Sequence, residues 1–319
     1  MLMKYGVLWL LTLLLACSGQ GKPDRKPDQE LSICFTGDVL LDRGVRKEIQ
    51  KGGGNADFLF EKVAPLFRSS DAVVVNLECP VTDALSPINK RFIFRGDPVW
   101  LPSLRNHGIK YAVLANNHSI DQGRSGLVST VRHLKEAGIQ PLGYGNTRRE
   151  ASAPVLLRKG NTEVALYSSV LLPLENWVSL EDLPGVCQAS VDSLCTSIRT
   201  LKETNPRCYV VVILHWGAEF QRSPVLLQRK QARMLVNAGA DAIIGHHPHV
   251  VQEEEIYKGK PIFYSLGNFI FDQTKPFTDQ GLVIRLRFQE KGILFEKYPV
   301  DIKRCIPNLH SDVGNKASF

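Results

Sequence analysis

Apolar runs alternate along the chain with segments whose apolar residues are spaced as on one face of a helix. The runs predict buried strands at residues 31–41, 72–76, 111–115, 163–170, 209–214 and 242–244. Helical spacing occupies residues 58–67, 101–107, 127–137, 191–202 and 226–238. We expect hairpins around 91–94, 250–264 and 281–300, and an irregular loop at 172–188. Because strands and helices alternate, the pattern predicts an α/β sandwich with helices on the outside.

Five of the predicted strands are followed by polar clusters. These are Gly37-Asp38, Asn76-Leu77-Glu78, Asn116-Asn117-His118, the segment from His215 to Glu219, and His247-Pro248-His249. In an α/β sheet the carboxyl ends of the strands meet at one crevice, which is where ligands bind. A site of carboxylates, amides and imidazoles suits Zn, Mn or Fe(II). Two such ions bridged by a carboxylate activate water and neutralise an oxyanion.

Each cluster also has an ordinary structural explanation. Asp38 is a common turn residue, Glu78 fits a solvated strand end, and His118 and His215 fit internally hydrogen-bonded histidines. For there to be no functional site, the structural explanation would have to hold at all five strand ends at once. A shared functional site is therefore favoured. On a strand His247 and His249 share a face, and His246, pointing away, receives a structural role.

The first residues are typical of an export signal. Lys4 precedes twelve mostly apolar residues, Tyr5 to Ala16, too few to span a bilayer as a stable anchor. The sequence Leu-Leu-Ala-Cys ending at Cys17 resembles a bacterial lipobox, which implies cleavage before Cys17 and lipidation of its thiol. We therefore expect a signal peptide at 1–16 and a lipidated cysteine with a flexible tether at 17–30. A plain secretory signal is the alternative.

The charge and the cysteine content bear on nucleic-acid binding, structural zinc and disulfide bonds. The net charge is +7 over 319 residues, and no basic run exceeds two residues, so we expect no nucleic-acid partner. After Cys17 six cysteines remain, without C-x-x-C spacing, which argues against a structural zinc site. In an exported protein these thiols can be oxidised to disulfides, and Cys187 with Cys195 is the first disulfide to test.

Six ordered motifs carry a family resemblance. They are TGDVLLDR, VNLECPVT, LANNHSIDQG, ILHWGAEF, IIGHHPHVVQ and YSLGNFIFD, between about residues 31 and 272. Together they resemble the capsule-synthesis CapA family, also called the poly-γ-glutamate synthesis family. The resemblance implies a four-layer α/β/β/α sandwich similar to calcineurin-like metallophosphatases. It places a single domain at 31–305, followed by a C-terminal tail at 306–319.

The metallophosphatase pattern D-x-H, G-D, G-N-H, H, G-H-x-H matches this chain in part. The resemblance implies one or two divalent ions, with ligands Asp38, Glu78, Asn117, His215, His247 and His249. Glu78 stands where the pattern has a bridging aspartate. Leu40 replaces the D-x-H histidine, and Asp42 is a candidate substitute.

Further polar residues lie inside or near the motifs. His118 and Asp121 are the catalytic candidates, with Asp121 either orienting His118 or capping the next helix. The candidate substrate contacts are Arg43, Arg95, Glu219 and Asn268, and the two arginines suit a carboxylate or another anion.

The resemblance implies a role in capsule or poly-γ-glutamate synthesis or export, lipid-anchored on the extracytoplasmic side of the cell envelope. One expectation is a metal-dependent hydrolase or transferase acting on an anionic envelope polymer. The alternatives are a non-catalytic polymer-binding assembly or export subunit, associated with membrane-bound capsule synthesis subunits, and a periplasmic phosphoesterase. Ser18 after the cysteine mildly favours the outer membrane if the host has two membranes.

Overall fold

A computed structural model describes residues 30–290 and 292–310, and the backbone of 316–318. The predicted signal peptide, Cys17 and most of the tether lie outside the described residues. No helix within the described ranges is both long enough and apolar enough to cross a membrane.

The larger sheet contains nine of the described strands and is mixed. Its strands are, in spatial order, β16 (Ile306–Leu309), β15 (Gly292–Lys303), β14 (Gln280–Gln289), β1 (Leu31–Val39), β2 (Ala72–Leu77), β3 (Ile109–Val113) and β4 (Gln140–Leu142), with β13 (Asn268–Ile270) beside β1 and β17 (Lys316–Ser318) beside β15. The strands β1 to β4 run parallel, whereas β14 pairs with β1 in the antiparallel direction. The sheet thus continues beyond residue 305 into the segment expected as a tail.

The second sheet contains six described strands. Its order is β11 (Glu254–Tyr257), β12 (Lys260–Phe263), β10 (Ala242–His246), β9 (Tyr209–His215), β7 (Thr162–Val170) and β6 (Val155–Lys159). Its central strands β7, β9, β10 and β12 are parallel. A small ribbon pairs β5 (Tyr144–Gly145) with β8 (Gly185–Val186).

Helices cover the outer face of each sheet. They are α1 (Arg43–Lys51), α2 (Ala64–Arg68), α3 (Leu101–Asn106), α4 (Gly123–Glu136), α6 (Val191–Thr204) and α7 (Leu226–Ala238). The short helix α5 (Arg148–Ser152) instead lies beside β5 and places Ala151 in the core between the sheets. Two short 3₁₀ turns, Asp57–Leu59 and Pro98–Trp100, complete the regular elements of the described chain.

The alternation of side chains along β1 shows how the layers form. Ile33 and Phe35 pack in the core between the two sheets, whereas Cys34 belongs to the core under α1, α3 and α4. In β9, Val211 faces the inter-sheet core and Val212 packs under α6 and α7. Side chains of a strand alternate between its faces, so both sheets are buried on both sides. The predicted four-layer α/β/β/α architecture is confirmed.

Some local predictions were wrong. The helix expected over 58–67 is divided into the turn Asp57–Leu59 and the helix α2, because Pro65 lacks an N–H and fits only the first turn of a helix. No hairpin forms at 91–94; the Phe94 amide instead donates to Asp121. Cys187 and Cys195 are buried free thiols and are not bonded to each other.

Candidate metal centre

The carboxyl ends of strands from both sheets converge on one buried cluster. Asp38 lies near the end of β1, and Glu78 follows β2 directly. His215 ends β9, while His247 and His249 follow β10. All five side chains are buried. The crevice predicted from the polar strand ends is therefore formed by the two sheets together.

Two groups of ligand atoms within this cluster have the spacing of metal sites. One joins Glu78, His215 and His247, and the other joins Asp38, Glu78 and His249; within each group the ligand atoms lie within 4.8 Å of one another. Glu78 belongs to both groups, so its carboxylate is shared by the two candidate ligand sets. A longer glutamate occupying the aspartate position is thus compatible with two neighbouring ligand sets.

Unpartnered atoms test whether these residues fit a metal. Glu78 Oε1 and His247 Nδ1 are buried and have no hydrogen-bond partner among the described residues. A buried polar atom without a partner carries a desolvation cost that a ligand removes. Imidazole nitrogens together with carboxylate oxygens form the donor set of Zn, Mn and Fe(II). The residues present therefore fit a divalent ion.

The ionisation states of the histidines agree with this fit. Burial lowers the pKa of His215 well below its usual value. Burial also lowers the pKa of His247 to about 3, with a contribution from the charge of His249. Both rings are neutral at pH 7, which is the form that ligates a metal.

The pKa values of the two carboxylates in the cluster shift in opposite directions. Burial, followed by the charge of Asp38, raises the pKa of Glu78 well above its usual range. For Asp38 the burial penalty is outweighed by hydrogen bonds from His246 and His249, so its pKa is lowered. Burial opposes protonation of His249, but the charges of Glu78 and Asp38 outweigh it and raise the pKa to about 9.

Two residues outside the predicted ligand set hold Asp38. His246 Nδ1 lies 3.0 Å from Asp38 Oδ1, and Asn76 Nδ2 donates to the same oxygen at 2.8 Å. The structural role expected for His246 is thus the positioning of a candidate ligand. Asn76 belongs to the Asn76-Leu77-Glu78 cluster, so its polar strand-end position was the signal that could have identified it.

The backbone around the last histidine pair is in an unusual conformation. His247 has φ 98° and His249 has φ 58°, both in the left-handed region. Such conformations are uncommon outside glycine and cluster at functional sites. The two histidines are on a loop, not a strand, which is why simple alternation of side chains does not describe them.

His118 and Asp121 form a buried chain with Lys90. His118 Nδ1 lies 2.8 Å from Asp121 Oδ2, and Lys90 Nζ donates to Asp121 Oδ1 at 2.6 Å. The His118 ring packs against the Phe94 ring, with the centroids 4.3 Å apart and the ring planes tilted by 32°. Asp121 precedes α4 but does not cap it, since its carboxylate is used by these partners. Of the two roles left open for Asp121, the structure supports the orientation of His118.

The amide residues lie around the cluster. Asn117 Oδ1 lies 2.9 Å from His215 Nε2, so Asn117 is beside the group that contains Glu78 and His247. Asn268, brought to β1 by β13, has its Oδ1 3.0 Å from His249 Nδ1. Asn268 therefore contacts a candidate metal ligand, and its contact with substrate stays a prediction.

A cavity of about 390 Å³ opens beside the cluster. His118, His249, Arg43 and Glu219 line it together with aromatic and loop residues. The Arg43 guanidinium pairs with Asp272 and lies 4.8 Å from the centroid of the Phe94 ring. The predicted candidates Arg43 and Glu219 thus face the same space as His118.

Two further candidates, Arg95 and Asp42, lie outside the cavity and the ligand cluster. The Arg95 guanidinium donates to the Thr82 carbonyl at 3.2 Å, and Arg95 does not line the cavity. Asp42 accepts hydrogen bonds from Arg46 Nε and the Arg95 amide. Asp42 is therefore occupied away from the metal ligands and does not replace the missing D-x-H histidine.

Comparisons with known structures agree with the observed layers. A hypothetical protein from Thermus thermophilus superposes with a TM-score of 0.51 at 16% identity, covering 85% of this chain and 99% of that one. The NAD nucleotidase NadN of Haemophilus influenzae superposes with a TM-score of 0.52 at 14% identity, covering 91% of this chain and 60% of that one. The chain therefore shares its fold with these two proteins.

Sequence comparisons identify the family. The PGA biosynthesis protein CapA of Bacillus subtilis (strain 168) is 32% identical over 284 residues, covering 88% of this chain and 74% of the relative. The capsule biosynthesis protein CapA of Bacillus anthracis is 29% identical over 289 residues, covering 88% of this chain and 70% of the relative. The model of the bacterial capsule synthesis protein family PGA_cap matches residues 32–273, and the chain belongs to this family.

Proposed function

We propose that this chain is a metal-dependent hydrolase or transferase that acts on an anionic cell-envelope polymer. The observation that carries the proposal is the pair of ligand groups sharing the buried Glu78, next to an open cavity. The names of the Bacillus relatives refer to capsule and PGA biosynthesis, which makes poly-γ-glutamate the first polymer to test.

The ligands Asp38, Glu78, Asn117, His215, His247 and His249 would hold one or two divalent ions. Zn, Mn and Fe are the candidates for this donor set. Bound there, a divalent ion supplies Lewis-acid activation of an acyl or phosphoryl centre. His246 and Asn76 keep the Asp38 carboxylate in position through their hydrogen bonds.

His118 is proposed to protonate the leaving group. Its Nδ1 is engaged by Asp121, which leaves Nε2 as the ring nitrogen available on the cavity side. Asp121 steadies the ring, and Lys90 compensates the charge of that carboxylate. In the imidazolium form, Nδ1–H donates to Asp121 and Nε2 carries the second proton, which would pass to a leaving nitrogen or oxygen held in the cavity and leave the ring neutral. Burial lowers the pKa of His118, which makes this imidazolium a stronger acid.

Arg43 is proposed to hold an anionic group of the substrate. Its guanidinium lies over the Phe94 ring and 5.6 Å from the centroid of Phe271, so the two rings limit its movement. Its Nε is buried and without a partner in the described chain. The Arg43 side chain is 35% exposed, so the accessible part of its guanidinium would donate to a carboxylate or phosphate in the cavity through a charge-assisted hydrogen bond.

We further propose that Cys17 is lipidated and tethers the domain to a membrane in the cell envelope. The proposal rests on the apolar run before Ala16 and the polar segment after Cys17. Tethering would hold the domain beside membrane-bound capsule synthesis subunits. Mass spectrometry of the purified full chain tests this, because lipidation at Cys17 predicts a diacylated amino-terminal peptide, and an unmodified thiol there would contradict it.

The catalytic proposal is tested on the full chain in detergent micelles with γ-linked polyglutamate as the probe. We expect new amino termini to appear, the reaction to stop with chelator, and activity to return with added Zn or Mn. His118→Gln should lower the rate by about 10²–10⁴-fold, whereas His133→Gln, on α4 and outside the cluster, should not. Polymer that binds but is neither cut nor transferred under all these conditions would favour the non-catalytic assembly subunit. Turnover confined to phosphoesters would favour the phosphoesterase.

A further inference from the structure

Two loops border the cavity of about 390 Å³ beside the metal centre. The β9–α7 loop comprises residues 216–225, and the β13–β14 loop comprises residues 271–279. The first loop contributes Glu219 and Phe220 to the lining, and the second contributes five successive residues that end at Lys275. A ligand in this cavity therefore lies next to both loops.

A reciprocal pair of cation–π contacts joins the two loops. Lys275 Nζ lies 3.6 Å from the centroid of the Phe220 ring in the β9–α7 loop. In return, the Arg222 guanidinium carbon lies 4.2 Å from the centroid of the Phe277 ring in the β13–β14 loop. Each loop thus supplies one cation and one ring, so the two contacts hold the loops against each other.

Both members of the Lys275–Phe220 contact are fastened to residues around the metal centre. The Phe220 amide donates to the carbonyl of Pro248, inside the loop that carries the last pair of candidate ligands, at 2.8 Å. The Lys275 carbonyl accepts from the Thr278 hydroxyl at 2.7 Å. The Thr278 carbonyl in turn accepts from Asn268 Nδ2 at 2.9 Å. The backbone positions of both side chains are therefore set relative to the metal ligands.

The two rings have an uncommon backbone conformation. Phe220 has φ 62° and Phe277 has φ 66°, both in the left-handed region. For a bulky residue this conformation persists only where the surroundings hold it, and it clusters at functional sites. The conformations mark the pair of loops as a candidate functional element.

The charge of Lys275 is available to a ligand. Lys275 is exposed and forms no ion pair among the described residues, although Glu219 lines the same cavity. The carboxylate of Asp272 is engaged by Arg43 and by the Gly44 amide. An aromatic ring positions an ammonium without neutralising it, so the N–H donors of Lys275 remain free for an anion.

We propose that Lys275 is a specificity-determining residue that binds an anionic group of the substrate, separate from the group assigned to Arg43. Because Arg43 is half-buried and Lys275 is exposed, a ligand with a single anionic group is assigned to Arg43. Lys275 then favours ligands that carry at least two such groups. Phe220 is a positioning residue, since it acts on the ligand through Lys275. The inference rests on the proposed function for the site it concerns, but the binding it describes requires neither metal nor turnover.

Isothermal titration calorimetry of the full chain in micelles tests this inference, after metal is stripped with chelator and the chelator is removed by dialysis. The probe is a γ-linked trimer of glutamate. The matched ligand is the γ-linked trimer of γ-aminobutyrate, which has the same amide backbone but a single carboxylate. Inorganic tripolyphosphate is the third ligand, because an ammonium donates to carboxylate and phosphate alike.

Three variants assign the binding to Lys275. Lys275→Gln should weaken the glutamate trimer about fivefold and leave the γ-aminobutyrate trimer unchanged. Lys275→Arg, which keeps a cation able to lie on the ring, should restore the affinity to within about twofold. Lys230→Gln, at an exposed lysine of α7 that does not line the cavity, should have no effect. At about 1 M salt, where the Debye length is about 3 Å, the difference between wild type and Lys275→Gln should shrink.

The outcomes separate this inference from the proposed function. Weaker binding of the glutamate trimer by Lys275→Gln supports the inference even if the metal-loaded chain is inactive on every polymer, and weaker binding of tripolyphosphate alone identifies the anion as phosphate. In an active enzyme Lys275→Gln should raise KM about fivefold and leave kcat unchanged. The inference is overturned if neither the glutamate trimer nor tripolyphosphate binds saturably, if Lys275→Gln weakens both trimers equally, or if Lys275→Gln and Lys230→Gln have equal effects.

Discussion

Replacing Asp121 by asparagine removes one charge from the middle of a buried network. The Asp121 carboxylate accepts from Lys90 Nζ at 2.6 Å, and its other oxygen meets His118 Nδ1 and the Phe94 amide, each at 2.8 Å. The Asp121 side chain is 0% exposed and that of Lys90 is 2% exposed. Asparagine has nearly the same shape, so the change tests charge and acceptor number with little change in packing.

Two effects follow from this geometry. Loss of one partner of a buried ion pair leaves an uncompensated charge, so Asp121→Asn should lower the free energy of unfolding by about 3–5 kcal/mol. One side-chain oxygen becomes an NH₂ group, so either Lys90 or the His118–Phe94 pair faces a donor. The His118 ring loses its fixed orientation, and we expect kcat on the polymer to fall by about 10²–10⁴-fold with a smaller change in KM.

Urea unfolding followed by tryptophan fluorescence measures the first effect, and steady-state kinetics measures the second. Asp83→Asn is the matched control, because Asp83 also faces a histidine, His133, at 3.4 Å, but its side chain is 72% exposed. An exposed pair contributes less than about 1 kcal/mol, so the control should be close to wild type. A loss of stability in Asp121→Asn no larger than in Asp83→Asn would refute the assignment of a buried, charge-compensated network.

Two further predictions concern stability away from the metal centre. Burial would raise the pKa of Glu296, but hydrogen bonds from Tyr298 and Arg285 outweigh it and lower the pKa, so the contribution of Glu296 to folding stability is present above its unfolded pKa of about 4.3 and is lost as pH falls through the folded value. Glu296→Gln should therefore lower the free energy of unfolding by about 3 kcal/mol at pH 7. Urea unfolding of both proteins should give the same stability in acid, and a difference that does not depend on pH would count against the argument. At Gly245 a Cβ would lie 1.9 Å from the Tyr264 carbonyl oxygen, so Gly245→Ala should lower the free energy of unfolding by about 3 kcal/mol or more. Gly259→Ala, with φ +72° and open space around it, should cost only about 1–2 kcal/mol, and equal losses in the two variants would contradict the close approach.

The position of the site was predictable because parallel strands present their carboxyl ends at one edge. The clusters containing Asp38, Glu78 and His215 lie at the ends of buried strands and converge as expected. The helix α7 begins and ends at the predicted residues, because its apolar spacing is regular and Gly239 follows it in a left-handed conformation.

Other features depend on tertiary contacts that spacing along the chain does not encode. Lys90 reaches Asp121 from a segment without periodic pattern, so nothing local marked it as part of the site. Asn268 reaches His249 because the three-residue strand β13 pairs with β1, far away in sequence. Alternation of side chains along a strand predicts that His246 points away from His247 and His249. The left-handed backbone of His247 interrupts that alternation.

Metal content tests the central claim most directly, since every proposed step at the cluster depends on its ligands. Elemental mass spectrometry should be applied to the protein purified without chelator, to His215→Ala/His247→Ala, and to His133→Ala as a control outside the cluster. The account predicts one or two equivalents of Zn, Mn or Fe in the wild type and the control, and a loss of bound metal in the double variant. Wild-type metal no higher than that of the double variant, even after reconstitution, would contradict it.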